Sequence, residues 1–341
     1  MSYIYIDVQT ESAIAMTKEI LIHQIIDVLS HAGFVVSERC NIRPRSFDIA
    51  ARKGEDLLLC KVLFNIDGLN ESTAREMKYL AEFLGGSAIV VGAKTRNQML
   101  EDSVVYMRYD ITALSVQTLY DYFVEDLPPL VAAAPGGLYV SIDGDVLKEA
   151  RTKEAMSLGT LASKVGVSRR TISKYEEEGM DASIDVALQL EEIFGIELAK
   201  PVDILNPPEN KRSRKELGAQ KPDSEEPRPS LPEDSVLNLI SVLGYEVLPA
   251  FQAPFKAISK DESSVILTGV SEYNTTVVKR ARLMSSLSEV TKSQSVFIIT
   301  GHCKLKSVES TVLLEKNELR KMSDSEDLLT FIEERKERSK E

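Results

Sequence analysis

The segment SLGTLASKVGVSRRTISKYEEEGMDASIDVALQLEEIFGIEL, residues 157–198, decides how the centre of this chain folds. Ser157 is placed to cap a helix through Leu158, Leu161, Ala162 and Val165, because a serine oxygen can accept one of the N–H groups that a helix start leaves unpaired. Gly166 supplies a turn, and Ser168 caps a second helix from Arg169 to about Glu178. Ala162 is small where the two helices cross, while Val167, Ile172 and Tyr175 face the core. The preceding run DVLKEARTKEAM and the following run SIDVALQLEEIF, with Ile184, Ala187, Leu190 and Phe194 on one face, complete an all-α bundle.

This pattern resembles the helix-turn-helix domain of the phage repressor and Cro class. The resemblance implies duplex DNA as partner, with the first turn of the second helix entering the major groove. Arg169, Arg170, Thr171, Ser173 and Lys174 are all donors on its outer face, and arginine suits the O6/N7 edge of guanine. The chain carries a net charge of -12, so nucleic-acid contact requires a local basic patch, and SRRTISK is one. Ser157, Lys164 and Ser168 join the candidate DNA-binding set, and Lys148, Arg151 and Lys153 are candidates for further phosphate contacts. Many members of the class place glutamine where this chain has Leu158, so that phosphate contact is absent or comes from backbone N–H groups. Glu176, Glu177 and Glu178 end the helix and would repel DNA if they faced it, which restricts base contact to its N-terminal half.

Outward from this centre, NPPENKRSRKELGAQKPDSEEPRPSLPED (206–234) is proline-rich, charged and almost without apolar residues, and reads as a linker. A weaker boundary, DLPPLVAAAPGG (126–137), separates the bundle from the first segment. In that first segment TKEILIHQIIDVLSHAGF gives a helix with Ile22, Ile25, Ile26 and Leu29 on one face and Gly33 at its end. The runs FVVSERC, SFDIAAR and DLLLCKVLF read as antiparallel strands with a KGED turn between the last two. A helix through Met77, Leu80, Ala81 and Leu84, a buried strand SAIVVGA, a strand VVYMRY and a closing helix at Val116–Phe123 follow. The order is αβββαβ, then βα.

The last segment repeats this order. FDIAARKGEDLLLCKV (47–62) lies against FKAISKDESSVILTGV (255–270) at an offset of 208, which also sets SAIVV on SVFII and VVY (104–106) on VLL (312–314). Gly33-Phe34 matches Gly244-Tyr245 after a small indel.

A helix followed by strands that carry an Asp and, about a dozen residues on, a Lys resembles the restriction-endonuclease or Holliday-junction-resolvase fold. The family's motif needs two carboxylates to hold a divalent cation that activates water, plus the Lys. Asp48 and Lys61 match, and Glu19 is a candidate helical acid, but the position two before the Lys is Leu59. In the second copy Lys256, Leu267 and Gly269 replace all three groups. Glu55 and Asp56 are rescue ligands only if their turn folds back. Hydrolysis is therefore not expected, and the site set contains no catalytic residue, metal or cofactor; the alternative is a metal-dependent DNA nuclease using Asp48, Lys61 and Glu19.

Cys40, Cys60 and Cys303 are scattered and odd in number, and read as buried free thiols; His23, His31 and His302 read as structural. No apolar run is long enough for a membrane helix and the start lacks the order of a signal peptide, so a cytoplasmic protein is expected.

Taken together, SFDIAARKGEDLLLCKVLFNID, PGGLYVSIDG and SLGTLASKVGVSRRTISKYE resemble an archaeal family of helix-turn-helix transcriptional regulators. The expected architecture is α/β plus all-α: two degenerate restriction-endonuclease-like domains (1–130 and 235–341) flanking a helix-turn-helix domain (138–205), with the linker at 206–234. The expected function is sequence-specific regulation of transcription by a homodimer. An effector bound by one α/β domain is expected only by analogy with other regulators, since no glycine-rich phosphate loop is present.

Overall fold

The computed structural model describes residues 11–206 and 236–338. Asn206 apart, the linker expected at 206–234 lies outside the described residues. Two compact units form: one takes the chain up to Val28, Leu63–Gly68 and Val90 onward to the end of the first stretch; the other takes Leu29–Val62, Leu69–Ile89 and the stretch from 236. In chain order the elements are α1 (Glu11–His31), β1 (Val35–Val36), β2 (Ile49–Lys53), β3 (Asp56–Asn65), α2 (Glu71–Phe83), β4 (Ser87–Lys94), β5 (Val104–Arg108), β6 (Ile111–Leu114) and α3 (Val116–Phe123). Then come β7 (Val131–Ala134), β8 (Gly137–Val140), α4 (Gly144–Lys153), α5 (Leu158–Val165), α6 (Arg169–Glu177), β9 (Ala182–Ser183) and α7 (Ile184–Phe194). The last stretch holds α8 (Val236–Val242), β10 (Glu246–Pro249), β11 (Ala257–Lys260), β12 (Val265–Ser271), α9 (Thr275–Thr291), β13 (Gln294–Ile299), β14 (Ser307–Val308), β15 (Thr311–Glu315), α10 (Lys316–Leu319) and α11 (Ser325–Glu337). No helix among the described residues is long and apolar enough to cross a membrane.

The first unit contains a run of strands in the order β4-β6-β5-β7-β8-β9. The segment read as a weak boundary at 126–137 is in fact part of a hairpin: β7 pairs parallel with β5, Val104 opposite Val131, and antiparallel with β8. Strand β8 then pairs with β9, Tyr139 opposite Ser183, so the helical bundle is joined to the sheet by backbone pairing. The Asp143 N–H donates to Leu198 O, Lys200 N–H to Ser141 O and Val202 N–H to Pro129 O, each at 2.8 Å. Pro128 and Pro129 lie in the irregular segment before β7 and the left-handed Gly136 in the turn after it; they break the pattern without breaking the sheet.

In the second unit β1-β2-β3 pair antiparallel and a complete sheet runs β10-β11-β12-β13-β15-β14. The β2–β3 and β11–β12 hairpins share one register: Ala51 faces Leu58, and Ser259 faces Ile266, both 208 residues further on. Each helix before them ends in the same turn. Gly33 N–H donates to Ser30 O and Phe34 N–H to Leu29 O; Gly244 N–H donates to Ser241 O and Tyr245 N–H to Ile240 O, with both glycines left-handed.

The offset changes beyond β4. Arg108 faces Ile111 across the β5–β6 turn, and Val308 faces Thr311 across the β14–β15 turn, an offset of 200. Ser115 then caps α3 as Glu315 caps α10. Strand β15 next to β13 therefore corresponds to β6 next to β4, and the expected match of VVY to VLL is corrected by one strand, because the chain leading into the second hairpin is shorter by eight residues. Each repeat has two strands where one was read before its closing helix.

Within the second unit the two repeats share a core. Phe47, Ala50, Leu57, Leu59 and Leu80 are buried in one cluster with Leu248, Phe255, Leu267, Leu283, Met284 and Phe297. Polar contacts add to it: Arg52 Nε donates to Val290 O at 2.7 Å, Glu38 N–H to Ser286 Oγ at 2.7 Å and Ser46 N–H to Gln252 O at 2.6 Å.

Candidate nucleic-acid interface

Helix α5 begins at Ser157, whose Oγ accepts the Thr160 N–H at 3.0 Å, and ends at the left-handed Gly166. Helix α6 begins at Ser168, whose Oγ accepts the Thr171 N–H at 3.0 Å. Each such cap contributes about 1 kcal/mol and fixes where its helix starts. Leu161, Ala162, Val165, Ile172 and Tyr175 are buried with Leu147, Ala187 and Leu190 in the bundle core, while Val167, Ile184 and Phe194 pack against it. Leu158 is half-buried against the same core, which is why no polar side chain projects from that position.

The candidate residues are unequally exposed. Arg169, Arg170, Lys164, Ser157 and Ser168 are exposed, and among the described residues no carboxylate pairs with Arg169, Arg170 or Lys164. Thr171, Ser173 and Lys174 are half-buried. Ser173 Oγ donates to Glu177 Oε2 at 3.2 Å and Lys174 Nζ lies 3.6 Å from Glu178 Oε2, so these two donors are shared with acids one turn on. Unopposed positive charge is therefore concentrated in the first turn of α6. Exposed Lys148 and Lys153 lie on α4.

Arg151 departs from expectation. Its Nε donates to Glu176 Oε1 at 2.6 Å, one terminal nitrogen donates to Glu176 Oε2 at 2.9 Å and the other to Met156 O at 2.8 Å. All the donors of its planar fork that these bonds use point inward, so it is a strut rather than a phosphate ligand. The same pairing explains Glu176: its side chain is only 2% exposed and faces the core rather than DNA. Nothing in the local sequence distinguishes either residue from a solvated charge, and the 25-residue separation between them hides the pair.

Asp48 and Lys61 are engaged by the chain's own groups. Asp48 is fully buried; its Oδ1 accepts Arg45 Nε at 2.7 Å, its Oδ2 accepts the Val62 N–H at 2.9 Å, and Lys61 Nζ is 3.9 Å away. Lys61 instead donates to Arg45 O at 2.6 Å. Leu59 sits in the shared core, so neither a second carboxylate nor an open oxygen of Asp48 fits a divalent cation there. Glu55 pairs with Lys292 at 3.2 Å at the far end of the β2–β3 hairpin and does not fold back. In the second repeat a Cβ on Gly269 would run into the Phe297 ring, so Phe297 occupies the space a lysine would need. Among the described residues no group of three His, Cys, Asp or Glu side chains is spaced to hold a metal. The three cysteines are buried thiols outside any disulfide, and burial pushes the Cys40 and Cys303 thiols up.

Comparison with known proteins follows the same division. Residues 147–200 match the helix-turn-helix family model, and residues 18–129 match the model of a PD-(D/E)XK superfamily domain. This is a helix-turn-helix protein carrying a nuclease-fold domain. A protein of Methanosarcina barkeri is 75% identical over 94% of this chain and 98% of its own length. One of Methanosarcina acetivorans is 75% identical over 94% and 98%, and one of Methanococcoides burtonii is 64% identical over 96% and 100%. Each is named "Putative HTH-type transcriptional regulatory protein", and the chain belongs to this archaeal family. No solved structure matches it.

Proposed function

We propose that the chain is a sequence-specific regulator of transcription that reads duplex DNA in the major groove through the N-terminal half of α6. The carrying observation is the pair Arg169 and Arg170, exposed and without a carboxylate partner among the described residues, on the first turn of a helix fixed by the Ser168 cap. Ser157, Lys164, Ser168, Thr171, Ser173 and Lys174 complete the contact set, with Lys148 and Lys153 toward phosphates. The backbone N–H groups at the start of α5 supply the phosphate contact that Leu158 cannot. Selection of bound genomic fragments with the full-length protein, followed by footprinting, tests the reading; protection confined to random sequence would refute it.

The domain reading places the helix-turn-helix module at 138–205 between degenerate nuclease-like domains at 1–130 and 235–341. The support for the second of these is the shared hairpin register and the matching helix-end turns. Neither copy is read as catalytic. Incubation of the protein with duplex, single-stranded and branched DNA in Mg²⁺ or Mn²⁺ is expected to give no cleavage. Cutting that disappears in Asp48→Ala would establish the nuclease alternative.

The regulator acts as a homodimer in the cytoplasm. One helix-turn-helix reads only a few base pairs, and two on half-sites about one helical turn apart double the contacts. Because the residues of β2, β3 and α2 in the shared core are already covered by the second repeat, the contact between chains uses other surfaces. Light scattering is expected to return twice the chain mass at micromolar concentration; a monomer bound to a non-palindromic site would rule the dimer out.

A further inference from the structure

Helix α2 of the first repeat, with β10 and the loop after it in the second, encloses a cavity of about 300 Å³ lined by Arg75, Glu76, Tyr79, Leu248, Pro249 and Phe251 among others. That volume is at the small end of the range for ligand pockets, and the mix of apolar walls with a few polar groups is their usual composition. Glu76 gives it a chemical preference. Its Oε1 accepts the Gln252 N–H at 2.6 Å and the Phe251 N–H at 3.1 Å, which fixes the loop, while Oε2 has no hydrogen-bond partner among the described residues. Burial pushes the Glu76 carboxyl above its ordinary value even though these two N–H groups pull it down, as expected of a carboxylate with too few partners.

The rest of the groove favours the same sign of ligand. Arg75 is already matched by Glu71 Oε1 at 2.8 Å. An adjoining hollow of about 200 Å³ adds Glu82, Glu246 and Lys260, leaving the groove with an excess of acid. Phe251 is 63% exposed beside this apolar wall, a large ring without cover. Carboxylate and aromatic faces together select a cation with an apolar body, the first by a charge-assisted hydrogen bond and the second by attraction to the ring.

We propose that this cavity is an effector site for a small organic amine, with the ammonium on Glu76 Oε2 and the apolar body against Tyr79, Leu248 and Phe251. An occupant touches both repeats at once. Its regulatory role rests on the reading of the chain as a DNA-binding regulator; its binding does not.

The probe is phenethylamine, compared with its neutral isostere 2-phenylethanol, titrated calorimetrically into the full-length protein without DNA. Saturable binding of the amine, at least about tenfold tighter than the alcohol, is expected. Glu76→Gln keeps an Oε1 acceptor for the loop and is expected to abolish that preference with the melting temperature little changed; Phe251→Ala is expected to weaken both ligands. Equal binding of amine and alcohol, an undiminished preference in Glu76→Gln, or no saturation would overturn the site. In a second arm, saturating amine is expected to shift DNA affinity, and a bound amine that leaves DNA affinity unchanged would overturn the effector role. Amine binding by a protein that binds no DNA would count against the regulator reading alone.

Discussion

The double variant Arg169→Ala, Arg170→Ala is expected to lose most of its preference for the selected operator over random duplex. A guanine edge contacted by an arginine is worth about 1 to 3 kcal/mol of discrimination, so the pair is worth about 2 to 6 kcal/mol if both contact bases. The cost should fall on the specific site, because random duplex is held mainly through phosphates. Lys148→Ala and Lys153→Ala are the contrast: each is expected to weaken binding to every sequence alike and to lower the salt dependence by about one unit of slope. Neither arginine is in the bundle core or paired with an acid among the described residues, so folding of the double variant should be intact by circular dichroism. Competition titrations against the selected and random duplexes measure the effect. Equal affinity of variant and wild type for the operator would contradict it.

Arg151→Ala has the second large expected effect, on stability. It leaves Glu176 with a side chain 2% exposed and without its guanidinium partner. Removing one member of a buried pair costs about 3 to 5 kcal/mol, because the remaining charge stays desolvated and unmatched. The loss extends to the Met156 carbonyl, just before the Ser157 cap, so α4, the start of α5 and the last turn of α6 all lose a common anchor. Urea denaturation should show that cost, and the double variant Arg151→Met, Glu176→Met should recover most of it, since a buried ion pair can be exchanged for apolar residues of similar size at little net penalty. An unchanged midpoint for Arg151→Ala would show that Arg151 is solvated after all.

The sequence made the helix-turn-helix legible because its signals are local. A serine cap, a periodic apolar face and a glycine turn each act within a few residues, and each was found where it was read. The hairpins at 47–62 and 255–270 were legible as a repeat because burial of consecutive strand residues on both sheet faces imposes the same apolar run twice. Short strands were not. Ile111–Leu114 and Val131–Ala134 are only four residues long and are flanked by turn residues, so their pairing partners, rather than their own composition, make them strands. The Arg151–Glu176 pair and the Glu76 cavity were hidden for a related reason: both depend on residues far apart in sequence that only the fold brings together.

The burial of the two repeats on each other also gives Leu59 a packing role. Leu59, at the position that would supply a central carboxylate, lies in the core shared with Phe255, Leu267 and Phe297. A carboxylate there would have to be buried among these apolar side chains, at a cost of several kcal/mol unless it were paired.

Methylation interference on the selected operator tests the central claim most directly. Methyl groups at guanine N7 block the major-groove edge that Arg169 and Arg170 are proposed to read, while methyl groups at adenine N3 block the minor groove. The account predicts that N7 methylation at guanines in two clusters, centred about one helical turn apart, abolishes binding, and that adenine methylation between them does not. Binding indifferent to guanine N7 methylation but abolished by adenine N3 methylation would contradict it.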